Sequence, residues 1–532
     1  MSKSLPARPS LEQLRNQAKD LLKQYVAGEP DAVDRVCEFH ADFGGSSVKS
    51  PVTPLTPSVS TSEGGRVAEG RVKGKVFRLH DAQFVIAREY GFASWSKLKE
   101  RVESILFETG DPMELLKKAF MEHESTRFRR LLERFPEYKA RINEPVAAFD
   151  APVITQVRTR EMLDVLLDAG ADINAKSGWW AGGFGLLHGA EPDLAAYAIQ
   201  RGAIVDVHAA ARLGMIGKLR ELIAADPALV HSRGGDGQTP LHFASTVEVA
   251  TFLLDHGADI DARDVDHEST PAQYMVRDRQ EIARYLIQRG CKTDILMAAA
   301  VGDADLVRRH LDADPGCIHL RVSDEYFPMI NPKSGGTIYQ WTLGWHVSPH
   351  EVAKQFGHDL IYRLLMERSP ADVKLLAACW AADEIAVKSL LADNAGLAAE
   401  LSAASRRQVA HAARNNALGA VRVMLAAGLP VDALGQHRAT PLHWAAFHGN
   451  AEMTHEILRY NPPLELTDAD FQGTPLGWAI HGSEHGWYCR TGNYAATAEL
   501  LLKAGAKPPE KTTGGTRAVK EVLRRYGAKD VD

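Results

Sequence analysis

Chemically capable side chains crowd one stretch near the C-terminus, GWAIHGSEHGWYCRTG (477–492). His481 and His485 are spaced i, i+4, so on a helix they would share one face, a geometry that zinc accepts. Glu484 lies between them, but the order is HGSEH rather than HExxH, and the metalloprotease signature is not met. Gly482, Gly486 and Gly492 favour a loop, in which that spacing brings nothing together, and a third ligand has to come from Cys489 or His448. The plainer alternative is that Trp478, Trp487 and Tyr488 pack the loop down while the histidines make hydrogen bonds. A second group spans 321–347, with Tyr326, Phe327, Ile330, Tyr339, Trp341, Trp345 and His346, and His350 follows directly. His346, His350, His481, Glu484 and His485 are therefore the candidates for acid–base or metal chemistry.

Other reactive patterns are missing. There is no GxSxG, no GxxxxGK[ST] and no GxGxxG placed after a strand. The five cysteines (Cys37, Cys291, Cys317, Cys379 and Cys489) form no CxxC pair, so neither a disulfide framework nor a cysteine-rich zinc module is indicated. The formal charge of −6 gives no general basic field for nucleic acid. RFRRLLER (127–134) has helical spacing and acidic neighbours, as a solvated helix face does. No run of 18 apolar residues marks a membrane span, and the polar N-terminus lacks a signal core. A reducing cytoplasmic setting is expected, with no cofactor and no metal. Catalysis is left open, with a non-enzymatic role favoured.

What must position these side chains is a repeat. TPLH occurs at Thr239 and Thr440, and TPLG at Thr474; weaker copies are TPAQ at Thr270, SPHE at Ser348 and GLLH at Gly185. Each is followed by an apolar pair ending in Gly, as in LLDHGADID up to Asp261. Thr or Ser suits a helix N-cap, and Pro suits the first helical position, where no N–H is needed. Gly257 and its counterparts suit the left-handed residue that ends a helix. The turn-rich segment after it, such as DIDARDVDHES, predicts a β-hairpin finger.

These residues resemble the ankyrin repeat: TPLH, LLxxGAD and a period near 33 recur in phase over 238–294 and 435–507. The resemblance implies an all-α repeat solenoid, a stack of helix–turn–helix units with β-hairpin fingers, extending with degenerate units over 108–510. It also implies that His242 and His443 brace neighbouring loops, and His358 reads as equally structural. Three units, 205–230, 293–318 and 371–397, have an Ala-rich first helix joined almost directly to what precedes it. There the finger is expected to be absent and the groove uneven. Insertions are expected at 321–347, within a finger, and at 481–492, between two helices.

Residues 1–43 and 75–107 predict a small N-terminal helical module of the kind that precedes bacterial ankyrin arrays. Residues 44–74, rich in Ser, Pro and Gly, predict a flexible linker. Residues 511–532 predict a polar C-terminal capping helix.

The resemblance implies a binding scaffold that recognises a protein partner through its fingers and inner helices. Contacts are expected from Trp179, Trp180, Tyr339, Trp341, Trp345, Trp478 and Trp487, because Trp anchors interfaces and most of these lie outside the repeat's apolar positions. The rival expectation is an enzyme, or a small-ligand or metal-binding protein, with a pocket where the two insertions meet the groove. Convergence of 339–346 with 481–488 is the observation that bears on it.

Overall fold

A computed structural model describes residues 3–6, 9–43, 70–72, 75–109 and 111–530. The predicted linker lies outside the described residues up to position 69. Gly70–Val72 departs from it, pairing antiparallel with Lys75–Phe77. The chain divides into two units, residues 1–144 with 157–172, and residues 145–156 with 173–532.

In the first unit the apolar periodicity becomes helices Leu11–Val26, Pro30–Phe39, Leu79–Glu89 and Trp95–Thr109. Their shared core holds Leu21, Tyr25, Val36, Phe77, Ile86 and Leu98. Glu89 is buried there. Desolvation alone would raise its pKa, but Arg35 and Lys3, each 2.6 Å away, win and lower it. Helices Pro112–Met121, Ser125–Arg134 and Arg160–Asp168 complete this unit, whose boundary with the second falls well beyond residue 107.

The second unit is a stack of short helix pairs. Its helix starts share one device. The backbone N–H of the cap residue donates to the side chain three positions on: Thr239 to His242 Nδ1 (3.1 Å), Thr440 to His443 Nδ1 (3.2 Å), Thr270 to Gln273 (2.9 Å), Ser348 to Glu351 (2.6 Å) and Gly185 to His188 Nδ1 (3.2 Å). This is a capping box whose acceptor varies among imidazole, amide and carboxylate. Histidine adds a second function. With Nδ1 accepting, Nε2–H is free to donate to the next finger, to the Ser269 carbonyl from His242 and the Gly473 carbonyl from His443, both at 3.1 Å. Each unit thereby fastens its neighbour. His358 does the same in reverse, donating from Nε2 to the Ala300 carbonyl.

The fingers are tighter than the expected β-hairpins. They are turns closed by a backbone bond, such as Gly234 N–H to the Gln238 carbonyl and Asp264 N–H to the Ser269 carbonyl. Adjacent tips are joined directly: Val265 N–H donates to the Asp236 carbonyl, and Ala469 N–H to the His437 carbonyl. Asp236 and His437 both adopt positive φ to present those carbonyls.

The finger-poor pairs are Val207–Arg212 with Ile216–Ala225, Ile295–Val301 with Ala304–Ala313, and Ala371–Trp380 with Glu384–Asp393. At the last unit, helix Pro475–His485 takes in the first five residues of the insertion expected at 481–492, and 486–492 remains outside helix. Gly482 lies within that helix because a Cβ there would sit 2.5 Å from the Phe447 carbonyl. Helix Arg517–Arg525 closes the stack, burying Val519, Val522 and Leu523 against helix Tyr494–Lys503.

Candidate functional site: a cleft where a finger is missing

The three finger-poor positions meet different fates. Near Asp206, Lys176 reaches across at 2.9 Å and His188 donates to the same carboxylate at 3.0 Å. Beside Asp294, Tyr339 from the long insertion closes part of the vacancy, its hydroxyl donating to the buried carboxylate at 3.0 Å, and a smaller cleft of about 360 Å³ remains. At Ala371 nothing fills the vacancy. A cleft of about 630 Å³ opens there. One wall is the insertion's base, Ser323 to Tyr326 with Trp345 and His346; the other is the finger at Leu434 to Gln436. Helix Ala371–Trp380 and His411 of helix Gln408–Arg414 form its floor.

The buried end of the cleft is rich in nitrogen. His346 and His411 stack with ring centroids 3.4 Å apart and planes 15° from parallel. His346 holds a left-handed φ of 58°, uncommon for a residue with a side chain. Its N–H donates to the Val322 carbonyl, and its own carbonyl accepts from Arg321 at 3.0 Å. Burial drives the His346 pKa down to about 3 and that of His411 down to about 2, with Arg321 and Arg414 deepening both shifts.

Arg414 joins the two insertions. Its guanidinium lies over Trp345 (5.2 Å), Trp487 (5.4 Å) and Trp444 (5.5 Å), and its Nε–H donates to Gln436 at 2.7 Å. Each ring offers its negative face to the cation. The aromatic band continues from Trp444 to Trp478 (5.0 Å) and from Trp478 to Phe471 (6.2 Å). Residues 339–346 and 481–488 thus meet at a caged arginine beside the cleft.

The expected contact residues separate into three sets. Trp341, 72% exposed, and Trp487, 59% exposed, present surface. Trp179 and Trp180 are half-buried, packed on each other and, through Trp179, on Phe149. Tyr339, Trp345 and Trp478 are buried, contrary to expectation. Tyr339 is held by Asp294, and Trp478 donates from Nε1 to Asp468 at 2.9 Å, so neither offers a face to a partner; Trp345 lines the cleft instead.

Among the acid–base candidates, His346 faces the cleft, whereas His350 is fully buried and donates from Nε2 to the Ser369 hydroxyl at 2.8 Å. His481 and His485 are exposed on one helix, their rings 4.9 Å apart. Glu484 accepts from Gly515 N–H at 2.9 Å and so serves the C-terminal packing.

Two clusters could hold a metal: His188, Asp206 and His208, and Asp236, Asp266 and His267, each with ligand atoms within 4.8 Å of one another. In the first, the His188 ring is spent, Nδ1 accepting from Gly185 and Nε2 donating to Asp206. In the second, His267 Nδ1–H donates to the Gly336 carbonyl, turning Nε2 toward Asp266 at 3.6 Å. Burial pushes the Asp236 carboxyl up to about 6, with Asp266 and Asp264 adding to the rise and His267 opposing it. Sequence reasoning missed both clusters, because in each a short-range pair, Asp206 with His208 or Asp266 with His267, is completed by a residue about 20 to 30 positions earlier, His188 or Asp236. Among the described residues, no helix is long and apolar enough to cross a membrane.

Known proteins share the repeat. The family described as ankyrin repeats (3 copies) matches residues 207–297, and ankyrin repeat matches residues 437–469. The serine/threonine-protein kinase VIK of Arabidopsis thaliana is 47% identical over 49 residues, 9% of this chain and 11% of that protein. The chain thus matches about a tenth of that relative's length.

Proposed function

The chain is an ankyrin repeat protein, and from that premise we propose that it is a non-enzymatic binding scaffold, reading a protein partner through the cleft at Ala371 and the aromatic band beside it. Ankyrin repeats in general mediate protein–protein interaction. The observation that carries the reading is the band Trp345–Arg414–Trp444–Trp487, which leads from the cleft to an exposed indole. Rigid aromatic anchors beside a cleft give large contact area at low ordering cost. Capping boxes and finger-to-finger bonds hold the groove in shape before a partner arrives.

The partner would rest on Trp487, Phe471 and Trp341, all exposed, and insert a side chain into the cleft. The size of the cleft also supports a small-ligand reading, in which His346 and His411 line the pocket. A cytoplasmic setting fits five cysteines that are all unpaired.

The test is co-purification by the full chain compared with its Trp487→Ala and Trp341→Ala variants, with helicity followed by circular dichroism. Loss of the same specifically retained protein from both variants, with helicity intact, supports the scaffold. Unchanged retention by both removes this surface from the reading.

A further inference from the structure

The buried end of the cleft has unused hydrogen-bonding capacity. Ser323, Trp345 and His411 are each more than nine-tenths buried and each line the cleft. Ser323 Oγ, Trp345 Nε1 and His411 Nδ1 have no hydrogen-bond partner, and His346 Nδ1 shares that condition. A buried polar group left unpaired is costly, and these four atoms, themselves covered, belong to residues that line one cleft. Trp345 Nε1 can only donate, and a hydroxyl or a neutral imidazole can donate as well.

Three arginines, Arg321, Arg407 and Arg414, act on the imidazoles at this end. Burial and the stacked His346 disfavour protonation of His411 most, and Arg321, Arg414 and Arg407 add to that. Arg321 does carry one buried carboxylate partner, Glu351, at 3.3 Å. For Arg414 the structure shows only rings and an amide. Of the acidic residues lining the cleft, Asp324 and Glu325 are exposed, and Asp372 is half-buried on the floor helix. What fits is a group with several acceptor lone pairs, negative charge and no proton to offer.

We propose that the buried end of this cleft is an oxyanion subsite, taking a carboxylate or phosphate group through Trp345 Nε1–H, the Ser323 hydroxyl and the imidazoles of His346 and His411, with Arg321 and Arg414 supplying the field. It rests on the scaffold reading above and specifies it: the bound polypeptide presents this group as an acidic or phosphorylated side chain. The missing finger is what admits it.

The experiment titrates the full chain with inorganic phosphate and, separately, with acetate, in buffer of matched ionic strength, by calorimetry and tryptophan fluorescence. Ser323→Ala and Trp345→Phe remove one donor each without emptying the core. Binding of either anion to the wild type, weakened at least tenfold in the Ser323→Ala/Trp345→Phe double variant with its melting temperature unchanged, supports the subsite. Preference for phosphate over acetate assigns it to a phosphorylated side chain, and the reverse to an acidic one. No binding of either anion at tens of millimolar, or equal binding by the double variant, overturns it. If the double variant loses its melting transition, Ser323→Ala alone decides, by whether anion affinity falls. Co-purification sensitive to Trp487 with no anion binding leaves the scaffold standing and the subsite refuted. Anion binding with co-purification insensitive to Trp487 and Trp341 does the reverse.

Discussion

Lowering the pH from 7.5 to 5 charges the histidines of the unfolded chain but not those that fasten this stack. His208, His242, His350, His411 and His448 are all buried. Burial holds their pKa values down, to about 4 for His208 and His448, about 3 for His242 and His350, and about 2 for His411. A group whose folded pKa lies below its unfolded value contributes fully above the unfolded pKa, here near 6.5, and loses that contribution as pH falls. At pH 5 an unfolded imidazole gains about 2 kcal/mol from protonation that its folded counterpart forgoes. These five groups together contribute up to about 10 kcal/mol, and His346 and His443, also held down by burial, act in the same direction.

Groups of opposite sign return part of this. The Asp236 carboxyl, raised to about 6, costs less as pH falls through that value, which restores no more than about 1 kcal/mol for a half-exposed side chain. Glu351 and Asp294 are raised by burial as well and act in the same direction. A net loss on the order of 3 kcal/mol between pH 7.5 and 5 is expected after these offsets. Urea titrations of the full chain at pH 7.5, 6 and 5, followed by far-ultraviolet circular dichroism, measure it. His242→Gln keeps an amide acceptor for the Thr239 N–H, as Gln273 does for Thr270, and should flatten the pH slope by about one proton near pH 5.5. Stability that is flat or rises toward pH 5, or an unchanged slope in His242→Gln, refutes the reasoning.

Substitutions at two further positions probe the finger wall and the caged arginine. Gly182 has a φ of 142°, and a Cβ there would stand 2.1 Å from the Gly234 carbonyl oxygen; Gly182→Ala should cost about 2–4 kcal/mol in urea denaturation by forcing neighbouring fingers apart. Arg414→Lys keeps the charge but loses the planar fit against three indoles and the bond to Gln436, and should cost about 1–2 kcal/mol. Arg414→Met should cost less than Arg414→Lys, because an apolar side chain of similar length buries no charge; the two urea midpoints give the order directly, and the reverse order removes the cage as a stabilising element.

The contrast between what the residues announced and what they concealed has one physical origin. Thr and Pro, and the Nδ1 of the TPLH histidine, do their work within four residues of where they stand, so the phase of the stack could be read from TPLH and LLxxGAD, and the finger lost before Ala371 from an Ala-rich helix with nothing ahead of it. Whether an aromatic ring faces out depends on a partner far along the chain. Tyr339 is drawn inward by Asp294 and Trp478 by Asp468, and no local spacing distinguishes them from Trp341 or Trp487. Arg414 sits in AARNNALGA with no motif, yet it gathers Trp345, Trp444 and Trp487 from three separate segments. Gly482 misled for a related reason: a residue that suggests a loop by its own freedom is there because the Phe447 carbonyl leaves no room for a Cβ in a helix. The cleft follows from both kinds of information. Its existence is local, one finger omitted, while its cationic lining is assembled by side chains from the units on either side. A solenoid can therefore gain a binding site by deleting a turn, provided that its neighbours already carry the groups that the deletion exposes.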